Sequence, residues 1–374
     1  MRNILLATTA LAAVAGFASA ANAQIKVTLG GYTEFFAATF DEDAVNNSSE
    51  RDFQIETEIL IRADGKADNG LLYGAKIELQ NTGISGTNPP NSNGITTDEA
   101  SVYLGGSWGR IELGDFDGAS DTLVIVAPIY GVGQIDGDYS DFITGQPNGG
   151  YYAFDSSDAT KVMYLTPRVA GFQGGVSYTP QNGNEGQSVV TAKQITNYKD
   201  LVEFGVNYTG DFSGVGVALA FTGSTAAGNS NAGVQGAQDY TALYAGGQVK
   251  YAGFAFGGGY ADNDKANMTT GNALTRANID SFGDQSVWHV GLGYTTGPIA
   301  ISGTYMENDG VRGTNWSEYK AYGVGGVYTV APGMLLQSDV MFIDDETRLL
   351  TAGKNSAKTS NEGFVWLIST RLNF

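Results

Sequence analysis

The chain has 374 residues and carries 20 Lys and Arg against 39 Asp and Glu, a formal net charge of −19. This balance argues against a nucleic-acid partner, because phosphate binding needs clustered basic residues. With no cysteine in the sequence, disulfides and thiolate metal sites are excluded. Together, 53 glycines, 20 tyrosines and 18 phenylalanines favour many strands joined by turns over long helices.

Residues 1–23 have the features of a secretory signal peptide. Arg2 is followed by an Ala-rich apolar stretch, and Ala21-Asn22-Ala23 gives a small-x-small cleavage pattern before Gln24. We therefore expect residues 24–374 to form the exported protein as a single domain.

The mature chain shows strand periodicity along its length. Between residues 51 and 63, Phe53, Ile55 and Ile59 fall on one face, whereas Glu56 and Glu58 fall on the other. Similar alternation recurs at residues 71–80, 202–208, 215–221 and 288–294. Strands that pair an apolar face with a polar or small one are typical of a water-filled barrel in lipid.

The connections between these strands alternate between short and long. Short turns are predicted at 66–70, 107–110, 170–171, 210–214, 252–253, 296–298 and 331–333. Long loops are predicted at 41–50, 81–98, 115–160, 180–199, 223–239, 261–285, 308–317 and 344–363. This order predicts an all-β fold, a closed 16-stranded antiparallel transmembrane β-barrel whose backbone polar groups are all paired.

The third long loop, 115–160, follows an alternating hairpin at residues 100–115 and is acidic and rich in glycine. A loop of this length inside a compact domain is usually functional. We predict that it folds into the lumen and narrows an aqueous channel; an ordinary surface loop is the alternative.

Two stretches resemble a known family. The ending STRLNF, at residues 369–374, looks like the C-terminal signal of bacterial outer-membrane barrels, and residues 102–115, VYLGGSWGRIELGD, are similar to a hairpin of general porins. The continuation DGASD, at residues 117–121, resembles the Rhodobacter-type porins of α-proteobacteria. The resemblance implies a homotrimer in the outer membrane, in contact with lipid and lipopolysaccharide, with the third loop as the constriction. It also implies that Phe374 is the signal read by the barrel-assembly machinery.

Charged residues on the polar faces and in the third loop are the candidate pore residues. The predicted acidic constriction consists of Asp115, Asp117, Asp121, Asp136, Asp138 and Asp141. The predicted pore wall consists of Glu56, Glu58, Arg62, Lys76, Glu78, Glu112 and Arg371. An acidic loop opposite basic wall residues would set up a transverse field that orients small dipolar solutes. The alternative is that these charges only solvate the lumen.

Few residues in the sequence have the pattern that catalysis or metal binding requires. The single histidine, His289, lies on the polar face of its strand, and no nucleophile elbow or histidine cluster accompanies it. Asp136, Asp138 and Asp141 have the oxygen-rich spacing of a calcium loop but lack the closing Glu. We therefore expect no enzyme activity and no required cofactor, with Ca²⁺ at these three residues left open.

The sequence thus predicts a general diffusion porin that passes ions and small hydrophilic solutes with a weak preference for cations. A substrate-specific outer-membrane channel is the main alternative. A barrel enzyme or an adhesin has less support.

Overall fold

A computed structural model describes residues 25–43, 50–81, 94–144, 150–183, 185–186, 198–228, 239–264, 285–312, 315–349 and 358–374. The predicted leader, 1–23, and parts of most long loops lie outside these ranges. Every strand pairs in antiparallel fashion with its sequence neighbours, and the first strand pairs with the sixteenth, so the sheet is a closed barrel. No helix in the described part of the chain has the length and hydropathy to cross a lipid bilayer.

The sixteen strands are β1 (Lys26–Glu42), β2 (Arg51–Lys66), β3 (Leu72–Asn81), β4 (Ile95–Gly106), β5 (Gly109–Asp115), β6 (Thr160–Leu165), β7 (Phe172–Gln181), β8 (Tyr198–Phe212), β9 (Val215–Gly228), β10 (Tyr240–Tyr251), β11 (Phe254–Asp264), β12 (Gln285–Thr296), β13 (Ile299–Arg312), β14 (Asn315–Ala331), β15 (Met334–Leu349) and β16 (Thr359–Asn373). Short helical segments occur between β5 and β6: α1 (Ala119–Thr122) and the 3₁₀ turns η1 (Gln134–Asp136) and η2 (Asp138–Asp141). The predicted fold class is confirmed.

The outward face of the barrel is apolar, whereas much of the inward face is covered. In β16, Trp366 and Leu372 are 46% and 52% exposed, whereas Val365 and Leu367 between the outward positions are buried. A row of aromatic rings crosses the outward face of β12 to β16, with neighbouring centroids 5.0 to 6.5 Å apart. The row consists of Trp288, Tyr305, Tyr322, Phe342 and Phe364. Such a belt is typical of barrels at the membrane–water interface.

Several predicted loops are shorter than the sequence suggested. The predictions of loops at 308–317 and 344–363 are wrong in extent, because strands occupy most of the first and both ends of the second. Beyond the aromatic row, Lys320 pairs in register with Glu307 on one side and with Asp344 on the other. Backbone pairing continues here although the side chains are polar. Strand ends predicted from the hydropathy pattern therefore fall short of the observed ones.

The segment between β5 and β6, residues 116–159, is called the third loop below. Its helix α1 lies close to β6 to β9, η1 lies close to β13 to β15, and η2 lies close to β16. Backbone groups of this segment also donate to inward-facing side chains of the wall, Glu203 on β8 and Asp339 on β15, so its described residues lie against the inner face of the barrel. Val132, Ile135, Tyr139 and Phe142 of this loop share one buried apolar cluster with wall residues such as Met306. The main hydrophobic core therefore lies inside the barrel, between the third loop and the wall.

Candidate functional site: the charged lumen facing the third loop

Three wall carboxylates hold the third loop in place by accepting hydrogen bonds from its backbone. On β8, Glu203 is fully buried; its Oε2 accepts from the backbone N of Ser120 at 3.3 Å, and its Oε1 accepts from that of Ser156 at 2.9 Å. The Ser156 hydroxyl also donates to Oε1. Since Ser120 and Ser156 belong to the outgoing and returning limbs of the loop, one carboxylate fixes both.

Two other carboxylates of the wall bind the middle and the far end of the loop. Asp339 on β15 accepts from the backbone N of Val132 at 2.9 Å and of Gln134 at 3.0 Å. Glu42 on β1 accepts from the backbone N and the hydroxyl of Thr144. Charge-assisted hydrogen bonds of this kind are stronger than neutral ones. The loop is thus held at three points around the wall.

Buried polar contacts complete this attachment. Gln134 donates through Nε2 to the Tyr130 carbonyl at 2.7 Å and accepts from the Thr304 hydroxyl at 2.7 Å. The hydroxyls of Tyr139 and Tyr319 are 2.8 Å apart in the apolar cluster. Within the described residues, the loop's hydrogen bonds to the barrel strands reach β6 to β11, β13 to β15, and the outer ends of β1 and β2. The inward faces of β3 to β5 accept none of them.

The inward face of β16 and of β1 to β5 carries mixed charges that are largely paired with one another. Arg371 contacts Glu34 at 3.2 Å, and its guanidinium lies 3.5 Å from the centroid of the Tyr32 ring. Lys76 forms ion pairs with Glu78, at 3.6 Å, and with Glu99. The expectation of a basic wall opposite an acidic loop is therefore wrong in part, because Lys76 and Arg371 are already partnered by wall carboxylates.

The remaining predicted wall residues also lie on the inward face. Arg62 is exposed and stands next to Lys76 in the register of β2 and β3. Glu56 accepts a hydrogen bond from the Tyr32 hydroxyl at 2.7 Å. Glu58 and Glu78 lie on adjacent strands, where their charges act on each other. Glu112 is 7% exposed and accepts from the Ser101 hydroxyl at 2.6 Å and from Arg110 Nε at 2.9 Å.

A β-bulge adds two acidic residues that the sequence analysis missed. Ile77 pairs with Ala100, but Leu79 pairs with Thr97, so β4 contains one extra residue at this point. As a result both Asp98 and Glu99 contact inward-facing side chains: Gln80 donates to Asp98 at 2.6 Å, and Lys76 pairs with Glu99. The adjacent acidic residues just before the alternating segment were the available sequence signal.

Most acidic residues of the third loop have raised pKa values. Burial, with the neighbouring carboxylates of Asp117 and Asp155, raises the pKa of Asp121 to about 8. Burial raises the pKa of Asp138 to about 7, with further contributions from Glu56 and Asp141. The proximity of Asp138 to Glu56 brings one predicted loop residue and one predicted wall residue together.

The carboxylate of Asp136 accepts a hydrogen bond from a tyrosine hydroxyl. Burial raises the pKa of Asp136 to about 6, against the opposing effect of the Tyr151 hydroxyl, which donates to it at 2.5 Å. Burial likewise raises the pKa of Asp141.

Asp115 lies apart from the other predicted constriction residues. It shares the outward parity of Ile111 and Leu113 in β5, and its carboxylate accepts from the Thr160 hydroxyl at 2.5 Å and from the backbone N of Gly186 at 2.8 Å. These bonds join β5, β6 and the loop after β7 at the rim. Asp115 is the last residue of β5, whereas Asp117 lies in the third loop, so the end of the strand separates the two although they are close in sequence.

Neither His289 nor the three proposed calcium ligands has the surroundings expected of a catalytic or metal site. His289 is buried, with Nε2 3.2 Å from the Tyr244 hydroxyl and the ring edge-on to Tyr151, as a packed wall residue is. Among the described residues, the carboxylates close enough to share an ion are Glu99, Asp117 and Asp158, not Asp136, Asp138 and Asp141. The geometry gives the calcium hypothesis at the latter three no support.

An apolar exterior, a polar lumen and an inward loop on a closed sixteen-stranded sheet define a membrane channel barrel. The family model for Gram-negative porins matches residues 7–348, and the chain belongs to that family. It is therefore an outer-membrane channel protein.

The chain is also similar to two bacterial proteins of comparable length and to solved porin structures. An uncharacterised protein of Rickettsia conorii is 24% identical over 90% of this chain and 88% of its own length, and one of Rickettsia prowazekii is 23% identical over the whole of both. A mutant of the Rhodopseudomonas blastica porin is similar with a TM-score of 0.57 and 16% identity, over 93% of this chain and all of the porin. At this identity the structural likeness supports the fold alone.

Proposed function

We propose that the protein is a general diffusion porin that passes ions and small hydrophilic solutes with a modest preference for cations. The observation that supports this is the placement of the third loop, which is packed on β6 to β15 and faces the inward side of β2 to β5 with carboxyl groups such as that of Asp138. Water between these surfaces is the path for solutes. Charges at a narrow, low-dielectric passage act on ions at close range.

The cation preference follows from the charges along this path. The third loop, residues 116–159, contains Asp117, Asp121, Asp136, Asp138, Asp141, Asp155 and Asp158 and no Lys or Arg. On the wall, Lys76 and Arg371 are held by Glu99 and Glu34, which leaves few cations to attract anions. A salt gradient across a planar bilayer containing the protein should give a reversal potential of cation-selective sign. An anion-selective sign, or a conductance that saturates at low salt, would contradict a cation-preferring general pore.

Assembly and location are part of the proposal. We propose export through the leader at 1–23, insertion by the barrel-assembly machinery, and a homotrimer surrounded by outer-membrane lipid and lipopolysaccharide. The support is the family assignment together with the apolar outward face. Unboiled protein extracted in mild detergent should migrate as a heat-labile trimer. Native mass spectrometry showing only folded monomers would refute the trimer.

A further inference from the structure

A cavity of about 300 Å³ opens in the lumen wall beneath the start of the third loop. Its walls come from β3 to β6 and from the first residues of the loop, and its polar lining includes Lys76, Glu99, Arg110 and Asp117. The volume is at the lower end of the range for small-molecule sites, roughly 300–1,000 Å³. The cavity therefore has room for a small molecule, no larger than a peptide of a few residues.

One side of the cavity offers a positioned guanidinium. Arg110 donates through Nε to Glu112 at 2.9 Å, its Nη2 is also 2.9 Å from that carboxylate, and its guanidinium lies 3.9 Å from the centroid of the Tyr103 ring. These contacts fix the side chain, yet it remains 38% exposed. Because a guanidinium has five N–H donors, Arg110 retains donors for a carboxylate in the cavity.

Another side concentrates negative charge. The carboxylate oxygens of Glu99, Asp117 and Asp158 lie within 4.8 Å of one another. Lys76 pairs with Glu99, and the ammonium of Lys161 acts on both Asp117 and Asp158. The three carboxylates therefore face two ammonium groups, and one negative charge remains in excess. An ammonium group placed beside Asp117 would relieve the repulsion between these carboxylates.

The floor between these charges is apolar. Phe116 and Met163 are each 3% exposed, and Leu165 packs against them in a small cluster separate from the main core. All three line the cavity. A cation site alone would not require this surface, whereas a ligand with an apolar side chain would contact it.

We propose that this cavity binds small zwitterions with an apolar side chain, of the size of a dipeptide. The ligand's ammonium contacts Asp117 and its neighbours, its carboxylate contacts Arg110, and its side chain rests on Phe116 and Met163. This site rests on the proposed channel function, because the lumen supplies the route to it. The protein would then retain such solutes briefly during passage.

Isothermal titration calorimetry on the detergent-solubilised full-length mature protein, at pH 7, tests the site with glycyl-leucine as the probe. Two blocked analogues, N-acetyl-glycyl-leucine and glycyl-leucinamide, lack the ammonium and the carboxylate respectively. We expect each analogue to bind at least about tenfold more weakly, as loss of a charge-assisted contact implies. Arg110→Gln and Asp117→Asn should each cause a similar loss for glycyl-leucine.

Matched controls remove the same charges elsewhere. Lys320→Gln and Asp344→Asn, on the outward rim, should leave glycyl-leucine binding unchanged. Equal binding of glycyl-leucine and glycyl-leucinamide would show a site for cations only and would overturn the proposal. Absence of glycyl-leucine binding in protein that conducts in bilayers would overturn the site and leave the channel function intact. Binding by protein that does not conduct would support the site and refute the channel function.

Discussion

Phe374, the last residue of the chain, exchanges two backbone hydrogen bonds with Gly31 on β1, at 3.1 and 3.0 Å. The contact closes the seam between the first and last strands and completes the pairing of the barrel wall. Gly31 has a φ of +145°, and a Cβ built on it would lie 2.1 Å from the carbonyl oxygen of Glu58. The seam therefore depends on a residue without a side chain at one position and on the terminal aromatic residue at the other.

Gly31→Ala should impair closure of the barrel. The added methyl group meets backbone on β2 and forces a backbone conformation that alanine rarely adopts, at a cost of at least about 1–3 kcal/mol. We expect less folded, heat-modifiable protein on unboiled gels. Gly303→Ala is the control, since its Cβ would make an ordinary 3.5 Å contact with Val324. Equal folded yields for the two variants would show that the seam tolerates a side chain.

Phe374→Ala should reduce the amount of assembled barrel in the outer membrane. The Phe374 side chain is 56% exposed on the outward face, where it contributes little packing and is accessible to the assembly machinery. Phe256→Ala removes the same side chain from β11, where it is 59% exposed, and is the matched control. Quantitative immunoblots of membrane fractions should show a loss for the first variant only. Similar losses for both would assign the effect to lipid contact.

Glu203→Gln should loosen one limb of the third loop. Each Glu203 oxygen accepts from a different limb, and glutamine has only one acceptor oxygen, so either rotamer turns an NH₂ group toward a backbone N–H. An unmade buried hydrogen bond costs about 1–3 kcal/mol. We expect faster proteolysis within residues 116–159 and a noisier open-channel current. Glu307→Gln, on the outward face of β13, should change neither, and an unaltered Glu203→Gln loop would show that the apolar cluster alone holds it.

The sequence predicts the barrel well because alternation and turn spacing are local signals. The outward residues Trp366, Ile368 and Leu372 and the strand count follow from them directly. The carboxylates that hold the third loop, Glu203 and Asp339, look like any polar residue on an inward face. Their partners lie 47 to 207 residues away in the chain, a relationship that periodicity does not contain.

Three features of the lumen lie outside what strict alternation of strand residues predicts. The bulge in β4 turns both Asp98 and Glu99 to the lumen, and strict alternation assigns only one of them to that side. Asp115, still on β5, lies on the outward parity, and Asp117 is the first acidic residue of the loop. The ion pairs of Lys76 with Glu99 and of Arg371 with Glu34 likewise depend on the register between strands, which composition does not show.

Asp136→Asn combined with Asp138→Asn should reduce the cation preference. Asp136 ends η1 and Asp138 begins η2, and Asp138 lies near Glu56 of the wall. Removing the two charges leaves the paired residues of the wall in place. The reversal potential in a salt gradient should move toward zero, with conductance at high salt little changed because screening there shortens electrostatic range. Asp344→Asn with Glu346→Gln, at the outer rim, should leave the reversal potential nearly unchanged. An equal shift for the rim pair would place the selective charges at the mouth.

Acidification should weaken cation preference in the window between pH 8 and pH 5. Burial raises the pKa of Asp121 to about 8, of Asp138 and Asp155 to about 7, and of Asp136 and Asp158 to about 6, and neighbouring carboxylates add to the shift in all of these but Asp136. These groups ionise above their pKa values, so a fall in pH removes negative charge from the third loop and the reversal potential should decline toward zero. Acidification has the opposite effect on the stability of the fold, which it increases. A carboxyl whose folded pKa is raised stabilises the fold fully below its unfolded value, about 4, and loses that contribution as pH rises through the folded value. The third loop should therefore resist protease better at pH 5 than at pH 8. Cation preference that is constant across this window would show that the loop carboxyls do not set it.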